Sequence, residues 1–179
     1  METRNLAELY DAPTMDWEDV RRTLDAGHEQ APGREEGPGR HTTWLTTIND
    51  DGSPHVTPLG AEWLDGSYYF TTGRTSRKGR NLARDPRCVV SVSIRELDLV
   101  VEGEARLVTD PEIVAKLAKV WSDGGWPCEV DESGTALTAP YSAQSAGPPP
   151  WHVYRVGPKS AHAVQVVEPY GATRWVFSG

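Results

Sequence analysis

Between His41 and Val108 the chain alternates short runs of β-branched and aromatic residues with turns of hairpin chemistry, and this restricts it to an antiparallel sheet. Thr42 to Ile48 is the first run, followed by the turn cluster Asn49-Asp50-Asp51-Gly52. The return from Ser53 to Leu64 carries Pro54 and Pro58, neither of which can donate to a ladder, so this segment belongs at a sheet edge. Asp65-Gly66 makes a second tight turn into a strand beginning at Tyr68. Cys88 to Ile94 sets Val90, Val92 and Ile94 against Ser91 and Ser93 with a period of two. Asp98 to Val108 is a further strand, interrupted in its middle by Gly103. Strands of this length at this spacing predict a mainly β fold whose antiparallel sheet closes into a barrel.

Two helices flank that region. Over Met15 to Ala26, Asp16 is the cap, Asp19 sits at the capping-box position, Trp17, Val20 and Leu24 share a face, and Gly27 ends the helix. Asp110 caps a second helix with Pro111 at its first position and Ile113, Leu117 and Val120 on one face, ending near Trp121. Residues 28–40 hold Gly, Pro, Glu and Arg with nothing to bury, and read as a flexible linker. Residues 1–40 are therefore an N-terminal helix plus linker, ahead of a unit spanning 41–179. Ser122 to Pro150 reads as a long loop that packs over something, because Trp126 and Tyr141 are out of place in a solvated one. Trp151 to Val156 and Ser160 to Val167 read as two strands of a hairpin, and Thr173 to Phe177 as a last short strand.

The formal net charge of -8 argues against a general nucleic-acid binder. Cys88 and Cys128 form neither a disulfide framework nor a metal spacing, which fits a reduced, cytoplasmic protein. Met1 to Tyr10 lacks the apolar centre of a signal peptide, and no apolar run reaches the roughly 20 residues that span a bilayer. His28, His41, His55, His152 and His162 are scattered without metal spacing. Gly-x-Gly-x-x-Gly is absent, as is a nucleophile elbow.

One segment stands apart from this acidic background. From Arg74 to Arg87 there are six basic residues against the single acid Asp85. They follow the strand Tyr68-Tyr69-Phe70-Thr71-Thr72 and the break at Gly73. Ser76 can cap a short helix through Lys78, Asn81, Leu82 and Ala83, which Pro86 prevents from continuing. Strand, glycine break and helix start, with hydroxyls beside cations, form a site for phosphate oxygens. In Pro54-His55-Val56-Thr57-Pro58 the missing donors leave an irregular edge that offers backbone groups to a flat polar ligand.

These segments together resemble the pyridoxamine 5'-phosphate oxidase-like, FMN-binding split-barrel superfamily, in particular its flavin/deazaflavin-dependent oxidoreductase branch. The resemblance rests on Gly52 to Pro58, Tyr69 to Thr72, Thr75-Ser76-Arg77-Lys78, Asn81-Leu82 and Asp85-Pro86-Arg87. Tyr154 to Pro158 and Ala172 to Trp175 look like the closing strands. It implies a six-stranded antiparallel split β-barrel of Greek-key type and a homodimer with the cofactor between protomers. It also implies that Ser76, Arg77 and Lys78 grip a cofactor phosphate beside Thr71 and Thr72, with Asn81 nearby. His55, Val56, Thr57 and Pro58 would line the cofactor ring, and Trp126, Tyr141 and Trp151 the substrate side. The implied activity is hydride transfer between coenzyme F420, with FMN as the alternative, and a small organic acceptor, or cofactor carriage without turnover. No catalytic side chain is assigned. From Gly52 to Ser67 there is no Arg or Lys, unlike true pyridoxamine phosphate oxidases, which speaks against that substrate.

Overall fold

The computed structural model describes residues 1–27, 43–142 and 146–178. The expected linker over 28–40, with His28 and His41, lies outside the described residues. Among these, the strands are β1 (Glu2–Asn5), β2 (Thr43–Ile48), β3 (Pro54–Leu59), β4 (Ala61–Leu64), β5 (Ser67–Thr72), β6 (Arg87–Ser93), β7 (Leu97–Leu107), β8 (Glu129–Val130), β9 (Ala136–Thr138), β10 (Trp151–Gln165) and β11 (Gly171–Val176). The helices are α1 (Trp17–Asp25), α2 (Arg77–Arg84) and α3 (Pro111–Asp123). The fold is mainly β, and the strands pair antiparallel into one sheet.

The main path runs β1-β11-β10-β7-β6-β2-β3, with β5 and β9 pairing to the first part of β10, β4 to β5 and β8 to β9. Eleven strands take part, more than the six expected. The sheet is not closed by hydrogen bonds: β3 ends the path, and only the covalent step through Gly60 leads on to β4. Both prolines of β3 sit on that end strand, where a missing donor costs nothing. Gly52 (φ 81°) closes the first hairpin, while Asp65 (φ 48°) and Gly66 (φ 74°) turn the second in successive left-handed conformations.

Several expectations change. β10 is one strand of 15 residues, and the Gly157-Pro158 stretch read as a hairpin turn is a register shift inside it. β7 passes through Gly103 without a break. A Cβ there would lie 2.4 Å from the Gly157 carbonyl oxygen, so the glycine permits close approach of two strands rather than ending one. β1 was not foreseen because Glu2-Thr3-Arg4-Asn5 has no apolar alternation; it is held by backbone pairing to β11. The supposed loop over 122–150 contains the small β8–β9 ladder.

β5 is buried on both faces, which explains its unbroken aromatic run. Tyr68 and Phe70 join an inner core with Leu45, Val90, Val101 and Trp175, whereas Tyr69 joins a second core under α3. Trp17 of α1 packs at 5.3 Å from Trp175 and 4.9 Å from Phe177, fastening α1 to the inner core. Asp16 caps α1 as expected. On α3 the buried face is Val114, Leu117, Ala118 and Trp121; Ile113 and Val120 flank it, a phase shift of one position from the sequence reading. Asp110 accepts a hydrogen bond from Glu112 N at 2.9 Å, so Asp110→Ala lowers the unfolding free energy by about 1 kcal/mol in a urea titration.

Candidate functional site

Gly73 ends β5 and starts a turn in which Ser76 N bonds the Gly73 carbonyl. Ser76 then caps α2: its hydroxyl accepts from Gly79 N at 3.0 Å and lies 2.8 Å from Thr72 Oγ1. These two hydroxyls, expected on a phosphate, are thus already joined in a chain that fixes the loop to the helix. The first turn of α2 sits directly on that loop, since a Cβ at Gly79 would meet the Gly73 carbonyl oxygen at 2.3 Å. Asn81 anchors the helix from below, donating to Thr47 Oγ1 at 3.0 Å and Asn49 Oδ1 at 3.1 Å.

The cations this frame presents are not equivalent. Arg80 donates to the Thr75 carbonyl, and Arg84 to the Ile48 carbonyl while standing 3.5 Å from Asp50. Asp85 and Arg87 pair with each other. Arg77 is exposed, in an open cleft with Asn49, Asp50, Asp51 and Asn81. Lys78 is 7% exposed, and its ammonium has no ion pair or hydrogen bond among the described residues. Burial pushes its pKa below the ordinary lysine range.

Lys78 borders a cavity of about 400 Å³. One wall comes from the sheet: Pro58, Leu59, Gly60, Glu62 and Thr71. Trp121, at the end of α3, and Trp126, Tyr141, Ser142 and Ala146 form the other. Trp126 is held by its indole N–H to the Tyr141 carbonyl (2.7 Å) and by rings on either side, Trp121 at 6.3 Å and Trp151 at 5.7 Å. Of the sequence candidates, the cavity gathers Pro58, Thr71, Lys78, Trp126 and Tyr141. Trp151 is buried behind Trp126 and does not line it. Val56, 55% exposed, shares the outward face of β3 with Pro58. Thr57 and half-buried His55 turn the other way. Trp121, Gly60 and Glu62 were missed. In sequence Trp121 reads as a helix end, though a tryptophan where a helix meets a loop rich in Gly and Pro is the available signal.

His55 senses both cations: partial burial, then Arg77 and Lys78, hold its pKa below the usual histidine value. An anion bound between those cations cancels their repulsion of an imidazolium. Titration of His55 by NMR therefore moves to higher pH on adding inorganic phosphate, and stays put if phosphate binds elsewhere.

Residues 34–165 match the family described as pyridoxamine 5'-phosphate oxidase. The chain belongs to that family. No curated protein matches it. Among solved structures of the same fold is a conserved hypothetical protein of Mycobacterium tuberculosis (20% identity, TM-score 0.54, 85% of this chain and 86% of that one). A pyridoxamine 5'-phosphate oxidase-related, FMN-binding protein of Nostoc punctiforme is 16% identical at TM-score 0.54, over 76% and 81%. PhzG of Burkholderia lata, in complex with tetrahydrophenazine-1-carboxylic acid, is 16% identical at TM-score 0.55, over 90% and 84%. At such identities the likeness is one of fold. The chemistry of this donor set fits a phosphate-bearing cofactor: among the described residues the shielded Lys78 ammonium has no opposite charge, and an anion would supply it.

Proposed function

We propose that this protein is an oxidoreductase that transfers a hydride between coenzyme F420 and a small organic acceptor, and that Lys78 holds the cofactor phosphate. The observation that carries the reading is the buried Lys78 ammonium, opening into a cavity with no partner of opposite charge among the described residues. Holding a cation in so shielded a place carries a desolvation cost that a bound anion offsets. Arg77 adds an exposed, screened attraction from the neighbouring cleft, and the Thr72–Ser76–Gly79 chain ties the loop to the helix start that carries both residues. Pro58 and Gly60 present a strand edge on which a flat ring system can lie, and Val56 extends that face.

When bound, the cofactor supplies the hydride chemistry; the chain supplies orientation and a mostly apolar enclosure that keeps water out. A homodimer, with a second copy completing the groove beside Val56 and Pro58, belongs to the same reading, as does a reduced, cytoplasmic setting for the free thiols Cys88 and Cys128. So does the division of the chain into residues 1–40 and a cofactor-binding unit over 41–179.

FMN is the second reading, and one observation favours it. Arg80 and Arg84 are spent on carbonyls of the protein, leaving fewer free cations for the anionic tail that F420 carries beyond its phosphate. Side-by-side equilibrium titration with F420 and FMN tests both. The proposal expects micromolar or tighter binding of F420, FMN being the alternative; binding of neither removes it. Binding without reduction of any acceptor would make the protein a carrier.

A further inference from the structure

β1 (Glu2–Asn5) ends the sheet path, pairs only with β11 among the described residues, and lies outside residues 34–165 that match the family. An end strand carries a row of open N–H and C=O groups, and proteins blunt such an edge with proline, lysine or a bulge. β1 has none of these: it reads Glu-Thr-Arg-Asn, and its register with β11 is unbroken from Glu2↔Val176 to Asn5↔Thr173. The parity of the edge is fixed. Leu6 N donates to the Ala172 carbonyl, one step beyond that register, so Leu6, Arg4 and Glu2 turn their backbone groups to β11. Thr3 and Asn5 turn theirs to the open side. Glu2 and Arg4, both exposed, put opposite charges two residues apart on one face of the strand, and neither forms an ion pair among the described residues. Arg4 sits instead opposite Arg174, a like charge.

We propose that β1 is a self-association edge, on which a second copy of this chain pairs antiparallel with Thr3 opposite Thr3 and Glu2 opposite Arg4. The charges choose both the occupant and the register. Antiparallel pairing through the open groups of Thr3 shifts in steps of two residues. One step in one direction sets Glu2 on Glu2, and one step in the other sets Arg4 on Arg4; both are repulsive. The register between them gives two Glu–Arg pairs, each at a non-hydrogen-bonded position, where facing side chains are closest. A two-fold axis through Thr3 makes the contact self-complementary. Because β3 lies at the other end of the path, the contact uses none of the residues placed around the cofactor and is independent of that reading.

The test mixes two variants, Glu2→Cys and Arg4→Cys, at equal concentration in a glutathione redox buffer, and reads disulfide-linked dimers on a non-reducing gel. In the proposed register the two introduced thiols face each other at a Cα separation of about 4.5 Å, while the Arg4 and Glu2 that remain still pair. Within one variant alone the introduced thiols belong to residues about 8 Å apart, beyond the reach of a disulfide. Cys88 and Cys128 are buried and do not compete. The mixture gives a linked dimer that neither variant gives alone. Adding Arg4→Glu to the Glu2→Cys chain opposes two carboxylates and removes the product, while thermal unfolding stays unchanged because these side chains are exposed. Absence of a linked dimer from the mixture, equal linking in the mixture and in each variant alone, or linking that survives Arg4→Glu overturns the proposal. Any of these would leave the F420 and FMN titrations unaffected.

Discussion

An R77A/K78A double variant binds the phosphate-bearing cofactor a few hundred times more weakly than the parent chain, and most of that loss comes from Lys78. A charge-assisted hydrogen bond contributes about 1.5–3 kcal/mol. Lys78, at 7% exposure, lies at the upper end of that range, while solvent screens the exposed Arg77. The pair therefore amounts to about 3–4 kcal/mol. Loss of the Lys78 ammonium acts in the opposite direction on the free protein. Lys78→Met removes an unpaired buried ammonium and raises the unfolding free energy by about 1–2 kcal/mol, measured by denaturant titration without cofactor. The pH dependence follows in sign. Because the folded-state pKa of Lys78 is depressed, its penalty is fully present at neutral pH. It is relieved as pH rises through the folded value towards the ordinary lysine range. Stability of the parent chain accordingly gains on Lys78→Met as the solution becomes alkaline. A variant that weakened both cofactor binding and the free fold would mark Lys78 as a packing residue.

Gly79→Ala is the second large effect. In an exposed helix the change adds about 1 kcal/mol of stability. Here the new methyl would stand 2.3 Å from the Gly73 carbonyl oxygen and 2.9 Å from that of Arg74, both backbone atoms that cannot swing aside. Overpacking of this kind costs about 3 kcal/mol, so the clash wins and the net loss is about 2 kcal/mol. The loop must move away from α2, which displaces the Thr72–Ser76 hydrogen bond and the bearing of Lys78. Cofactor affinity falls with stability, by roughly tenfold or more. A stabilised Gly79→Ala chain with unchanged affinity would mean that the loop is not packed against the helix as described.

What could be read from the residues were the features with local causes. The β2–β3 turn, the Asp65-Gly66 hairpin, the Ser76 cap and the stop at Pro86 each follow from the conformational needs of a few neighbouring side chains, and all stand where expected. The edge placement of β3 followed from its two prolines. Features that depend on distant partners were not legible. Gly157-Pro158 looks like a turn, but pairing with β7 carries β10 straight past it with a register shift. Gly103 looks like a break only until the Gly157 carbonyl is placed against it. On α3 a spacing of three and four residues fits two adjacent faces, and the core it shares with Tyr69, Leu137 and Val153 selects Val114, Ala118 and Trp121. Within the candidate site the sequence named the cations but not their differences. Arg80 and Arg84 turn to carbonyls contributed by Thr75 and Ile48, and only the three-dimensional path shows that Lys78 alone is buried facing a cavity. Likewise Trp151 reads as a lining residue until Trp126 is found in front of it.

The most direct measurement compares each cofactor with the same ring system lacking the phosphate: FMN against riboflavin, and F420 against its deazaflavin core. If Lys78 exists to hold phosphate, the phosphorylated member of the productive pair binds a few hundredfold more tightly, and the difference all but vanishes in the R77A/K78A chain. Equal affinity for the two members of both pairs would contradict the account, because the buried ammonium would then have no part in binding the cofactor.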